Sequence, residues 1–92
     1  MILSFLDRES EKIFNRKYVS KISQPLQAIA LRKLLMLDAA VMLQDLRVPP
    51  SNHLEKLKVR KDRYSIRINK QWRLCFEWRN HNAYLVQIID YH

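Results

Sequence analysis

The chain has 92 residues, 48% of them apolar, with 17 Lys and Arg against nine Asp and Glu and a net charge of +8. That length accommodates one core over residues 1–92 and excludes a second domain, while the apolar content excludes a disordered segment. The charge suits a nucleic acid or an anionic surface and says nothing about fold.

The opening "MILSFL" reads as a short strand. Asp7 is a fair N-cap for a helix over "RESEKIFNRKY", with acidic residues in its first turn and basic ones in its last. Pro25 suits the first turn of a second helix, "LQAIALRKLLMLDAAVMLQDL". Leu26, Ile29, Leu34, Leu37 and Val41 recur at helical spacing, and Leu31, Leu35 and Met42 widen the stripe. "RVPPSN" ends that helix, because Pro49 and Pro50 continue neither helix nor strand interior.

From Leu57 onward the period changes to two. Tyr64, Ile66 and Ile68 form one inward set, Trp72, Leu74, Phe76 and Trp78 a second, and Tyr84, Val86 and Ile88 a third. Three strands joined by "NKQ" and "NHN" make an antiparallel meander. Two helices before such a sheet define an α+β fold, with both helices packed on one sheet face. The chain contains no glycine, so its turns are expected to rely on Asn, Asp and Ser, which tolerate positive φ less well than glycine does.

Parity sets the register. If Ile68 and Trp72 share the core face across Asn69-Lys70-Gln71, Arg67 stands opposite Arg73 on the other face. Like charges there cost roughly 0.2–1 kcal/mol. A local conflict of this kind marks a candidate site, with an anion between the two guanidinium groups and removal of one cation expected to be stabilising. Pairing Trp78 with Tyr84 sets Arg73 opposite Ile89 and brings Tyr91 and His92 to the same basic region. Between Arg47 and Arg73, nine basic residues face only Glu55 and Asp62, a net +7 over 27 residues.

This cluster has the parts of a metal-free RNA-cleaving site. Arg73 offers a charged fork for phosphate oxygens. His92 can transfer a proton near neutral pH, as base or acid. Tyr91 can orient a nucleotide and Lys58 can add positive charge, while Arg60, Lys61, Arg63, Arg67 and Lys70 are expected to form a basic, RNA-binding face. Alone, a terminal histidine is most often inert, and paired arginines most often only hold phosphate. His53 and His81 fall in loops and are expected to be solvated, and Trp72 and Trp78 belong to the core. No metal-ligand spacing and no cofactor motif is present. Cys75, the single cysteine, fits a reducing compartment. With no signal-peptide pattern and no run of membrane-spanning length, the chain is expected to be cytoplasmic, without a membrane partner.

"YSIRINKQWRLCFEW" with the closing "IIDYH" resembles the HigB toxins of the RelE/ParE superfamily. The opening "MILSF", "RKLLMLDAAVMLQDLRVPP" and "NHLEKLK" extend the resemblance along the whole chain. It implies a RelE-like fold and a type II toxin that cuts mRNA in the ribosomal A site without metal. The implied partners are the ribosome and mRNA, a HigA-like helix-turn-helix antitoxin, and operator DNA only through the antitoxin complex. The implied catalytic set is Lys58, Arg73, Tyr91 and His92. Glu55 stands where some members have a catalytic histidine and other relatives have Glu. "VRKDRY" replaces a longer family loop containing two glycines. Two alternatives remain beside the nuclease: a ParE-like, non-nucleolytic inhibitor of a protein such as DNA gyrase, and a decayed toxin that only binds its antitoxin.

Overall fold

The computed structural model describes residues 1–91; His92 lies outside the described residues. The alternating segments form strands β2 (Arg63–Arg67), β3 (Trp72–Arg79) and β4 (Asn82–Asp90), preceded by a two-residue β1 (Glu55–Lys56). The sheet order is β1-β2-β3-β4, each neighbour antiparallel. Two residues are too few for alternation to reveal, and β1 is accordingly absent from the sequence reading. The opening segment is extended, but it joins the sheet only through isolated parallel bridges of Ile2 to Ala83 and Phe5 to Val86. The amides of Leu3 and Leu6 donate to the carbonyls of Ala83 and Val86, each at 2.8 Å.

The β2–β3 register is the one that parity requires, with Arg67 directly opposite Arg73. The amide of Ile68 donates to the carbonyl of Trp72 at 2.9 Å. Asn69 organises the turn: its Oδ1 accepts the amides of Gln71 and Trp72, both at 2.8 Å.

The β3–β4 hairpin differs from expectation. Its loop has two residues, Asn80 and His81, with φ of 52° and 66°, and Trp78 pairs with Ala83, not with Tyr84. Positive φ at both positions is what a type I′ turn requires, and that turn matches the natural twist of the strands. Arg73 nevertheless faces Ile89, because a bulge restores the register: Leu85 and Val86 together oppose Phe76. The extra residue turns Tyr84 toward the outer face, where the Arg79 guanidinium lies 4.2 Å from its ring centroid. Ala83 and Val86 remain fully buried on the inner face. Leu85 takes φ of 51°, and its carbonyl accepts a hydrogen bond from Arg63 Nη1 at 3.1 Å.

Both helices form but stop early. α1 spans Arg8–Phe14, since Arg16 enters the left-handed region at φ 61°. α2 spans Gln24–Ala39, with the Ser23 hydroxyl accepting the Leu26 amide at 3.4 Å. It does not continue to Leu46. The Asp45 carboxylate accepts the amides of Val41 and Met42, at 3.0 and 2.9 Å, and starts a separate 3₁₀ turn at Leu43–Arg47. Val41 and Met42 consequently leave the core stripe and are exposed.

From the helices, Ile13, Ala30, Leu34 and Leu37 bury against Ile66, Leu74, Phe76 and Val86 of the sheet, with Trp72 and Trp78 packed at the margin. Each fully buried Leu or Phe contributes about 1.5–3 kcal/mol. The fold is thus α+β, with both N-terminal helices on one face of a mainly antiparallel sheet. Three polar side chains fix the helices' placement. Ser10 Oγ accepts the Ile88 amide at 2.9 Å, Asp38 Oδ1 accepts the Ile2 amide at 2.8 Å, and Gln27 Nε2 donates to the carbonyls of Val19 and Ile22 at 2.7 and 2.6 Å. Among the described residues no helix is long and apolar enough to cross a membrane.

Two expectations follow. The amides of Met42 and Val41 hold the Asp45 carboxyl below its ordinary value of 3.8, outweighing a small opposing effect of desolvation. Its contribution is therefore complete above that value and is lost as pH falls through the depressed folded-state value. Asp45→Asn should flatten the acid side of the stability profile, measured as urea midpoints between about pH 5 and pH 2. Arg63→Ala should destabilise the fold by roughly 1.5–3 kcal/mol in urea unfolding, because it leaves the bulge carbonyl without its charged donor.

Candidate functional site

On the sheet face away from the helices, Ser65 and Cys75 are completely buried. Side chains of the sheet itself provide the cover. Arg73 extends across β2: its Nε donates to Ser65 Oγ at 2.9 Å and its Nη2 donates to the His53 carbonyl at 2.7 Å. The same Nη2 stands 3.1 Å from Glu55 Oε1, with 11% of the arginine side chain exposed and 60% of the glutamate. Arg67 turns the other way and donates from Nε to the Asn69 carbonyl at 3.0 Å. Within the protein, the opposed arginines are each engaged by a carboxylate or by oxygen acceptors.

A cleft of about 680 Å³ opens over this arrangement, lined by His53, Glu55, Arg67, Asn69, Lys70, Arg73 and Tyr91. Arg67, Lys70, Arg73 and Tyr91 from the sequence reading therefore meet in one place. Tyr91 is held there by its amide, which donates to the Gln71 carbonyl, and the residue is 43% exposed. Asp90 accepts from Gln71 Nε2 at 3.1 Å, so the end of β4 is tied to the β2–β3 turn.

The other expected residues are distributed differently. Lys58, Arg60 and Lys61 line a second hollow with Lys56. Arg60 Nη2 also lies 3.6 Å from Glu77 Oε2, a carboxylate shared with Arg79 at 3.4 Å. Arg63 is only 7% exposed and bonded to the Leu85 carbonyl. It braces the bulge and does not belong to the outer basic surface.

His53 and Glu55 complete the cleft. The short 3₁₀ turn Pro50–Asn52 delivers His53, which caps it in the left-handed region at φ 44°. Buried Asn52 anchors that turn: it donates to the Leu46 carbonyl at 3.0 Å and accepts from Lys33 Nζ at 2.6 Å. Burial, reinforced by nearby Arg32, lowers the Lys33 pKa. The sequence reading places His53 in a solvated loop, and no periodicity marks it; its closeness to Glu55 is the only local sign. His81 is at the opposite hairpin, where its Nδ1 lies 3.0 Å from the Val41 carbonyl. Burial pushes the Cys75 thiol up, against the pull of Arg63 and Arg73, so it sits beneath the site as an inert thiol.

The arrangement suits a phosphodiester. Three cations, Arg67, Lys70 and Arg73, line the cleft together with Tyr91, Glu55 and His53. Among the described residues no group of three or more His, Cys, Asp or Glu could hold a metal ion.

Residues 3–92 match the family model for the RelE-like toxin of the type II toxin–antitoxin system HigB. An uncharacterized protein of Haemophilus influenzae is 46% identical over 70 residues, covering 72% of this chain and 69% of the relative. Toxin HigB-1 of Vibrio cholerae is 41% identical over 80 residues, covering 85% and 84% of the two chains.

The side-chain network corrects the expectation that losing one opposed arginine is stabilising. Arg73→Ala should lower stability by roughly 1–3 kcal/mol, since it strands Ser65 Oγ and the His53 carbonyl. Urea unfolding of the variant beside wild type measures this.

Proposed function

The chain belongs to the HigB-like toxins of type II toxin–antitoxin systems, within the RelE/ParE superfamily, and from that premise we propose that it is a ribosome-dependent, metal-independent mRNA endoribonuclease. Such a system implies an antitoxin partner, and the antitoxin proposed here is a HigA-like helix-turn-helix protein through which operator DNA is bound. The observation that carries the nuclease reading is the meeting of Arg67, Lys70, Arg73 and Tyr91 around one open cleft.

RNA cleavage without metal requires removal of the 2′-hydroxyl proton, stabilisation of charge on the phosphate, and protonation of the leaving 5′ oxygen. Arg73 is pre-oriented by Ser65 and the His53 carbonyl, so its guanidinium faces the phosphate without a search through rotamers. Glu55 shares that guanidinium and must yield part of its contact when phosphate arrives. Arg67 and Lys70 add charge from the turn. Tyr91 stacks on or hydrogen-bonds the nucleotide beside the scissile bond. His92, directly after Tyr91 in the chain, serves as a proton-transfer group. Lys58, Arg60 and Lys61 line a separate hollow and engage ribosomal or messenger phosphates. The surface does not need to read base edges, since the ribosome presents the message.

Single-turnover cleavage on programmed ribosomes tests this reading. Wild type should cut the A-site codon in the presence of a chelator. Deleting His92 should cost about 10²–10⁴ in rate. Replacing Lys58, Lys61 and Lys70 by Glu should weaken ribosome association, and wild-type association should itself fall steeply with added salt. Absence of cleavage by wild type, together with inhibition of DNA gyrase, would establish the ParE-like alternative instead.

A further inference from the structure

In-line cleavage of a phosphodiester places the attacking 2′ oxygen and the leaving 5′ oxygen on opposite sides of phosphorus. The groups that move their protons therefore belong on opposite walls of the cleft. The sheet order β1-β2-β3-β4 sets the arginines of β2 and β3 in the middle. Tyr91 follows directly after β4, and the proposed function gives the next residue in the chain, His92, a proton-transfer role. His53 stands at the β1 edge, immediately before that strand, and also lines the cleft. Of the two described imidazoles it is the one at the cleft, since His81 reaches the Val41 carbonyl at the far hairpin.

We propose that His53 is the general acid that protonates the leaving 5′ oxygen; this rests on the nuclease reading above. The groups facing it are Glu55 on β1, Arg67 on β2, Lys70 in the turn, Arg73 on β3 and Tyr91 after β4, with Lys33 behind Asn52. The step balances without a co-reactant. His92 takes the 2′ proton, the 2′ oxygen bonds to phosphorus, and the bond from phosphorus to the 5′ oxygen breaks. The imidazolium of His53 gives its proton to that oxygen, leaving a 2′,3′-cyclic phosphate and a 5′-hydroxyl. The backbone supports the assignment. Arg73 grips the His53 carbonyl at 2.7 Å, so the phosphate anchor and the proposed acid move as one unit.

The test compares a normal message with one whose scissile 5′ oxygen is replaced by sulfur, a leaving group that needs no proton. His53→Asn is the informative variant, because asparagine tolerates the left-handed backbone and keeps the carbonyl that Arg73 binds. It should cut the normal message about 10²–10⁴ times more slowly than wild type and the sulfur message at the wild-type rate. His92→Gln should be slow on both. Equal slowing of both messages by His53→Asn would reduce His53 to a structural part, and an undiminished rate on the normal message would remove it from the reaction. Sulfur rescue of His92→Gln but not of His53→Asn would give the acid's role to His92. Each of these outcomes overturns the assignment. Failure of wild type to cut either message would instead overturn the nuclease reading, before any variant is compared.

Discussion

A guanidinium withdrawn from water must find oxygen partners, and Arg73 is the side chain through which that requirement shapes the site. Core parity places Arg73 on the outer face opposite Arg67, where neither arginine can satisfy the other. Arg73 instead reaches Ser65 on β2, Glu55 on β1 and the carbonyl of His53 before it. Those contacts fasten a two-residue strand and a 3₁₀ turn to a sheet that alternation alone would end at β2. The cleft exists because this edge is pinned there. Breaking a charged, partly buried set of this kind leaves several acceptors unsatisfied at once, so its parts are energetically coupled.

The absence of glycine gives the rest of the fold its character. Among the described residues six occupy the left-handed region: Arg16, His53, Asp62, Asn80, His81 and Leu85. Only Asp62 and Asn80 are of the types expected to serve there, and an ordinary residue in that region costs roughly 1–2 kcal/mol. Each of the others has a local reason. Arg16 ends α1, His53 leads into β1, His81 completes the hairpin, and Leu85 makes the bulge. At the bulge the opening segment supplies compensation: Ser4 Oγ accepts the Leu85 amide at 2.9 Å, and Arg63 takes the Leu85 carbonyl from the other side.

The net charge of +8 is only partly available to a partner. Arg63 is enclosed, Arg79 is paired with Glu77, and Arg73 is tied to Glu55. Within the basic run, Lys70 lines the cleft, while Lys58 and Lys61 line a second hollow. A run of basic residues in sequence thus becomes two different things in space: internal braces for an irregular sheet, and a surface for phosphates. For an HigB-like toxin that division matters, because charge reversal at a brace damages the fold while charge reversal at the surface damages binding.

The sequence by itself determined what short-range periodicity can carry. Alternation over β2 and β3, with three residues between Ile68 and Trp72, leaves one parity that buries those two together, and this alone set Arg67 against Arg73. The helical stripe through Leu26, Leu34 and Leu37 and the α+β class are equally local in origin. Tertiary structure decided the features that turn on non-local compensation. Parity could not reveal that a two-residue turn and a bulge together reproduce the Arg73–Ile89 register while turning Tyr84 outward. α2 ends at Ala39 because the Asp45 side chain captures two amides, a competition invisible to propensity. Arg63 looks like any surface arginine until the Leu85 carbonyl claims it. His53 and Glu55 enter the cleft through a buried Asn52 and the reach of Arg73, contacts that join residues 20 apart in the chain. Hydrophobic pattern records which face a residue prefers; it carries no record of which polar partner, from elsewhere in the chain, will satisfy it there.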